Sequence, residues 1–243
     1  MARKRIPGAD RRSLILAAAK TVFAERGFEG AKTLQIAAAA KVSEALVYRH
    51  FPSKLALYRA VLRQLIREQD ENFDRLGLPE PSTHSLIWTI ENYLRTSLEQ
   101  QGTVQTESTR IMFASLAADA GYARLVYRRA MRLMRSPIER ALEAAREAGD
   151  LTGDAISPLN ASLFVEHVGS MISVSRLHGT PVVPYAGDDE ALLHDSIWFC
   201  ARGIGVKEDA IRRYFSGSTA VKKSSAAPRK RRTPPAKASP VSG

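Results

Sequence analysis

The sequence predicts an all-α protein with an N-terminal three-helix domain built on a helix-turn-helix and a helical bundle behind it. Three observations carry that prediction. Apolar residues recur at helical spacing through most of residues 10–215. The interruptions are short and made of helix breakers: Gly77, Pro79 and Pro81, then Gly102, Gly121, residues 149–154 and residues 179–189. No segment shows the apolar–polar alternation of a half-buried strand.

A first helix is expected over about residues 10–26, with Ile15, Ala18, Ala19, Val22 and Phe23 on one face and Gly27 as its stop. Two short helices then meet across Lys41-Val42-Ser43, the first presenting Leu34, Ile36, Ala37 and Ala40, the second Leu46, Val47 and Phe51. Thr33 and Ser43 are placed to cap them by accepting from backbone N–H groups of the first turn. So short a turn forces the helices to cross steeply with Val42 between them, which is a helix-turn-helix. With Leu46, Val47 and Phe51 turned inward, Glu44, Ala45, Tyr48 and Arg49 face out, where they would enter a major groove. Ala45 suits a thymine methyl, and Arg49 suits guanine or a phosphate. Glu44 is either an acceptor from cytosine N4 or a capping, solvated acid. Thr33, Tyr48, His50 and Lys54 each carry a donor for a phosphate oxygen.

Ser53 caps a long helix to about residue 76, which links this domain to the bundle across a boundary at about residues 77–82. The bundle helices are expected over about 83–101, 104–119, 122–148, 158–178 and 189–204, with a short one near 206–215. The 158–178 helix is apolar on more than one side, through Leu163, Phe164, Val165, Val168, Met171, Ile172, Val174 and Leu177, and 189–204 is similarly wide. Such helices form either the centre of a monomeric bundle or a homodimer interface, with Gly169, Ser170 and Ser173 allowing close approach to a second copy. Trp88, Tyr93, Met112, Phe113, Tyr127, Met131, Met134, His167 and Met171 are either plain core or the wall of an adaptable apolar pocket. Arg110 beside them would suit an acidic ligand.

The net charge of +11 sits at the ends: residues 1–12 carry five Lys/Arg against one Asp, residues 217–243 carry seven and no acid, and the stretch between is neutral. Such ends are nucleic-acid-seeking arms or solubilising, disordered segments. Domain limits of 1–10 for a flexible basic arm, 11–76, 77–216 and 217–243 for a disordered basic tail follow. The single cysteine, Cys200, forms no intrachain disulfide and reads as a small buried hydrophobe. No leader-like apolar segment follows Met1 and no run approaches the ~18 apolar residues of a membrane span, so a cytoplasmic protein with no membrane partner is expected. The histidines at 50, 84, 167, 178 and 194 have no metal-binding spacing, and no phosphate loop or nucleophile elbow occurs; neither enzyme chemistry nor a cofactor is expected.

Thr33, Ile36-Ala37, Val42-Ser43, Tyr48, His50-Phe51 and Ser53-Lys54 together resemble the DNA-binding motif of TetR-type transcriptional regulators, over about residues 11–73. The chain departs from that family at Lys41, where Gly is usual, and at Lys32-Thr33, where paired hydroxyls are common. The resemblance implies a homodimer, paired through 158–178 and 189–204, on an inverted-repeat double-stranded DNA operator, with a small-molecule effector in the rear ligand and dimerisation domain. It implies DNA contacts from Thr33, Ser43, Glu44, Ala45, Tyr48, Arg49, His50 and Lys54. An effector pocket would involve Trp88, Arg110, Met112, Phe113, Tyr127, Met131, His167 and Met171. The alternative is an architectural DNA binder of weak sequence preference, driven by its basic ends.

Overall fold

A computed structural model describes residues 8–99, 103–154 and 156–225; the expectations for the basic arm over 1–7 and for the tail beyond 225 lie outside the described residues. The described chain is helical, in the order α1 Gly8–Gly30, α2 Thr33–Ala39, α3 Glu44–His50, α4 Lys54–Leu76, α5 Thr83–Leu98, α6 Thr103–Ala117, α7 Gly121–Glu147, α8 Pro158–Ser175, α9 Asp189–Ile204 and α10 Glu208–Ser225. Among the described residues the only β pairing is an isolated bridge, Leu151 with Val206. Caps explain most boundaries. The side chains of Ser53, Ser82, Ser157 and Asp188 accept from backbone N–H groups at the starts of α4, α5, α8 and α9. Gly77 and Gly205 take left-handed φ at the ends of α4 and α9. Gly27, with φ 66° and ψ 178°, interrupts α1 where the stop was expected. α10 runs nine residues past the limit of 216 drawn from the sequence.

Two apolar cores organise the molecule. The head core gathers Ile15, Ala19 and Phe23 from α1, Ile36 from α2, Val47 from α3, and Leu57, Val61 and Leu65 from α4. Each buried side chain of this size contributes roughly 1.5–3 kcal/mol. That core continues into the rear domain, because Ile111 of α6 and Tyr122 of α7 are buried in it. The chain break at residues 77–82 is therefore no gap in packing. Periodicity identifies the apolar face of α6 but not its partner, which is α1. The same seam carries polar ties. Lys20, nearly buried, donates to Glu68 at 3.1 Å, joining α1 to α4. Arg129 on α7 grips Asp70 on α4 with two parallel hydrogen bonds, one of them 2.6 Å.

The body core comes from α5, α7, α8, α9 and α10, with Ile87, Leu94, Ile172, Ile197 and Ile211 fully enclosed. Cys200 lies in it, and burial raises its thiol pKa to about 11, as suits a small hydrophobe. Gly169 and Ser173 do not face a second copy, as their size had led us to expect. A Cβ on Gly169 would meet Tyr93 Cε1 at 2.5 Å, and the buried Ser173 hydroxyl donates to the Ser97 carbonyl at 3.0 Å. Both residues let α8 approach α5.

Candidate nucleic-acid interface and rear cavity

The α2–α3 turn is held by Lys41 N–H donating to the Ala38 carbonyl at 3.1 Å and Val42 N–H donating to Ala37 at 3.0 Å. Lys41 takes φ +54°, a left-handed conformation that costs a residue with a Cβ. Lys41→Gly is accordingly expected to stabilise the head by about 0.5–1 kcal/mol, seen as a higher urea midpoint at unchanged slope. Ser43 caps α3 as expected, its Oγ accepting from Leu46 N–H at 3.2 Å. Thr33 does not cap α2, whose cap position is Lys32. Its hydroxyl instead donates to Glu44 Oε1 at 2.5 Å. With that single proton committed, the contact between Thr33 and Tyr48 at 3.1 Å is donated by the tyrosine.

Thr33, Glu44 and Tyr48 thus lock the two short helices to each other. Half-buried Glu44 is turned toward α2, where one of its carboxylate oxygens accepts from Thr33. Ala45, Tyr48 and Arg49 are exposed on the outward face of α3. Lys54 is half-buried and already engaged: its ammonium donates to the carbonyls of Glu29 at 3.3 Å and Ala31 at 3.2 Å and sits 4.5 Å from the Phe28 ring centre. It closes the end of α1, with one ammonium proton left for a phosphate. His50 is half-buried, its Nε2 enclosed with no hydrogen-bond partner among the described residues. Leu34, expected on the inner face of α2, is 64% exposed beside Thr33. A seven-residue helix has room for few inward positions, and Ile36 and Ala37 fill them.

Behind the head lies a divided cavity between α4, α5, α6, α7 and α8, with compartments of about 490 and 410 Å³. Phe73, Met131 and Met134 line both compartments, and Ile90, Leu142 and Val165 the second. One set of its polar groups converges on α8. Glu166 accepts at Oε2 from the Tyr127 hydroxyl at 3.1 Å and at Oε1 from Ser170 at 2.5 Å, and its carbonyl accepts from Tyr93 at 3.2 Å. Burial, then the neighbouring Glu166 carboxylate, raise the Tyr93 phenol to about 12 and push Tyr127 up as well.

Four of the eight expected pocket residues line this cavity: Met112, Phe113, Tyr127 and Met131. The other four do not. Trp88 packs on the body core, and Arg110 is turned to the Leu177 carbonyl at 2.5 Å. His167 lines the outer groove instead, and Met171 is 53% exposed. The helical step explains the division, since residues 166, 170 and 173 share one side of α8 and 164, 167 and 171 another. Glu166 was missed, although the one carboxylate of α8, with a hydroxyl four residues on, was the available signal.

The outward side of α8 and α9 forms a second apolar feature. Phe164 is 57% and Phe199 71% exposed, and both edge a groove floored by Val165, Val168 and Cys200. Among the described residues no group of three or more His, Cys, Asp or Glu could hold a metal ion, and no helix is long and apolar enough to cross a membrane.

Residues 15–61 match the family described as bacterial regulatory proteins, tetR family. The transcriptional activator FasR of Mycolicibacterium smegmatis is 41% identical over 83 residues, which is 30% of this chain and 38% of FasR. The transcriptional regulator RutR of Escherichia coli K12 is 46% identical over 56 residues, 23% of this chain and 26% of RutR. The chain therefore spans less than half the length of the curated relatives it matches. Solved structures extend the likeness in fold. A tetR-family regulatory protein from Rhodococcus RHA1 superposes with a TM-score of 0.60 at 21% identity, covering 82% of this chain and 98% of that one. NalD of Pseudomonas aeruginosa, the secondary repressor of the MexAB-OprM multidrug efflux pump, superposes with a TM-score of 0.56 at 20% identity, covering 83% and 100%. The tetR-family segment is thus matched from α1 into α4, and the chain as a whole shares the fold of these solved structures.

Proposed function

We propose that the protein is a cytoplasmic, homodimeric transcriptional regulator that binds an inverted-repeat operator through α3 and is released, as a repressor, by a small molecule in the rear cavity. The observation that carries this reading is the outward face of α3, where Ala45, Tyr48 and Arg49 project from a helix fixed by Ser43 and by the Thr33–Glu44–Tyr48 contacts. A rigid helix presenting a small apolar group, a phenol and a guanidinium suits a major groove. Lys32 and Lys41, exposed on either side of α2, add phosphate-binding charge.

One such head reads too few base pairs for a stable complex, and the apolar groove edged by Phe164 and Phe199 supplies a surface for pairing two copies. Two-fold pairing would set the heads about one DNA turn apart, ~34–36 Å, or a multiple of that. The cavity supports regulation because Asp70 and Arg129 both line it while tying α4 to α7. A ligand that prefers the arrangement with displaced heads shifts the population away from DNA. NalD is named a repressor and FasR an activator. Here repression follows if the operator overlaps the polymerase site. Phe199→Glu tests the assembly. Light scattering should show a monomer in place of the native dimer, with unchanged far-UV circular dichroism and at least about tenfold weaker binding to an inverted repeat. A native monomer, or a variant that stays dimeric, contradicts this pairing.

A further inference from the structure

The sign of the charge in the rear cavity is the reverse of what the sequence led us to expect. Arg110, the base that would suit an acid, is turned outside the cavity to the Leu177 carbonyl. Arg129 does line the cavity, but its guanidinium is held by both oxygens of Asp70. An anionic ligand would have to displace that carboxylate. Glu68 is balanced in turn by Lys20 at 3.1 Å, and Glu71 and Arg75, which also line the cavity, balance each other at 3.7 Å. Glu166 remains. Its side chain is 22% exposed, and among the described residues its nearest base is His167 Nε2, 3.6 Å from Oε2 on a largely exposed ring.

The carboxylate is positioned by neutral donors alone: Tyr127 occupies one site on Oε2, and Ser170 one on Oε1. Each carboxylate oxygen has a further lone-pair site, so the group retains capacity for a charged donor. Aromatic and apolar side chains share the compartment with it, among them Tyr93, Tyr127, Phe73 and Met131. A carboxylate in such walls attracts a cation more strongly than it would in water, and the ring faces add to that attraction.

We infer that the effector is a lipophilic cation, an apolar body of amphiphile or multi-ring size carrying an amine or quaternary ammonium, with Glu166 as its counter-charge. Burial first, and then the Glu166 carboxylate, raise the phenol pKa values of Tyr93 and Tyr127 beside it. The inference rests on the effector reading of the cavity proposed above.

Decyltrimethylammonium, decanoate and decanol, of equal chain length and used below their micelle concentrations, are the probes, titrated calorimetrically into the full chain. The cation should bind most tightly. Glu166→Gln should weaken it by about tenfold or more while leaving decanol unchanged, and Glu166→Asp, which keeps the charge, should retain most of the affinity. Decanol binding to Glu166→Gln also verifies that the cavity of that variant is intact. If decanoate binds tighter than the cation, or Glu166→Gln leaves the cation unaffected, the charge assignment fails while decanol binding upholds the cavity as a ligand site. If none of the three binds the native chain, the effector reading fails with it.

Discussion

Gly169→Ala is expected to destabilise the protein by about 1–3 kcal/mol, the usual cost of inserting a methyl group into a closed contact. The added Cβ would lie 2.5 Å from Tyr93 Cε1 and 2.7 Å from Ser97 Oγ. Neither neighbour yields easily. Tyr93 is held through its hydroxyl by the Glu166 carbonyl at 3.2 Å and by Ser170 at 3.3 Å, and Ser97 is itself bonded to the Tyr93 carbonyl at 2.9 Å. Relief therefore requires α8 to move off α5, or Tyr93 to swing into the cavity it lines. Thermal unfolding should report a lower midpoint. The same variant should bind cavity ligands less well, a loss that an equally destabilising change in the head would not cause.

The other large effect belongs to α3. Arg49→Ala is expected to weaken binding to the selected operator by about 1–3 kcal/mol, or roughly ten- to a hundredfold, with little change in stability because the side chain is exposed. Salt titration separates its two possible targets. If Arg49 reads a guanine, the variant loses preference at one base position and keeps its salt slope. If it contacts a phosphate, all duplexes weaken alike and the slope falls by about 0.9 in log K per log salt. Anisotropy titrations of native and variant protein, on operator and on scrambled duplex at several salt concentrations, make the distinction.

The helices were legible in the sequence because each is an uninterrupted stretch of period 3.6 between breakers that do their ordinary work. The breakers at Gly27, Gly77 and Gly121 appear in the structure at an interruption, an end and a start of helices. Even the cost at Lys41 was readable, since a turn closed where Gly is usual needs positive φ whichever residue occupies it. Partners were not legible. Nothing in the period of α6 says that Ile111 seals the head core, and nothing in the smallness of Gly169 and Ser173 says whether α5 or a second copy approaches them.

The candidate sites divide along the same line. The outward face of α3 followed from assigning its inward residues, and Ala45, Tyr48 and Arg49 are exposed there as expected. Thr33, Glu44 and Lys54 make contacts with other helices that helical period alone does not disclose. In the rear domain, residue type alone gathered aromatic and methionine side chains from both sides of α8. Only the packed bundle separates the cavity wall from the outer groove, and only it shows that Glu166 lines the cavity and Arg110 does not.

The central claim is that two copies of α3 read a specific sequence. Its most direct test is selection of bound duplexes from a random pool, using the full chain at near-physiological salt. An enriched inverted repeat, with half-site centres one helical turn or a multiple of it apart, is the predicted result. A flat profile, with affinity that follows salt concentration and ignores sequence, would contradict the claim and leave a DNA binder driven by its basic ends.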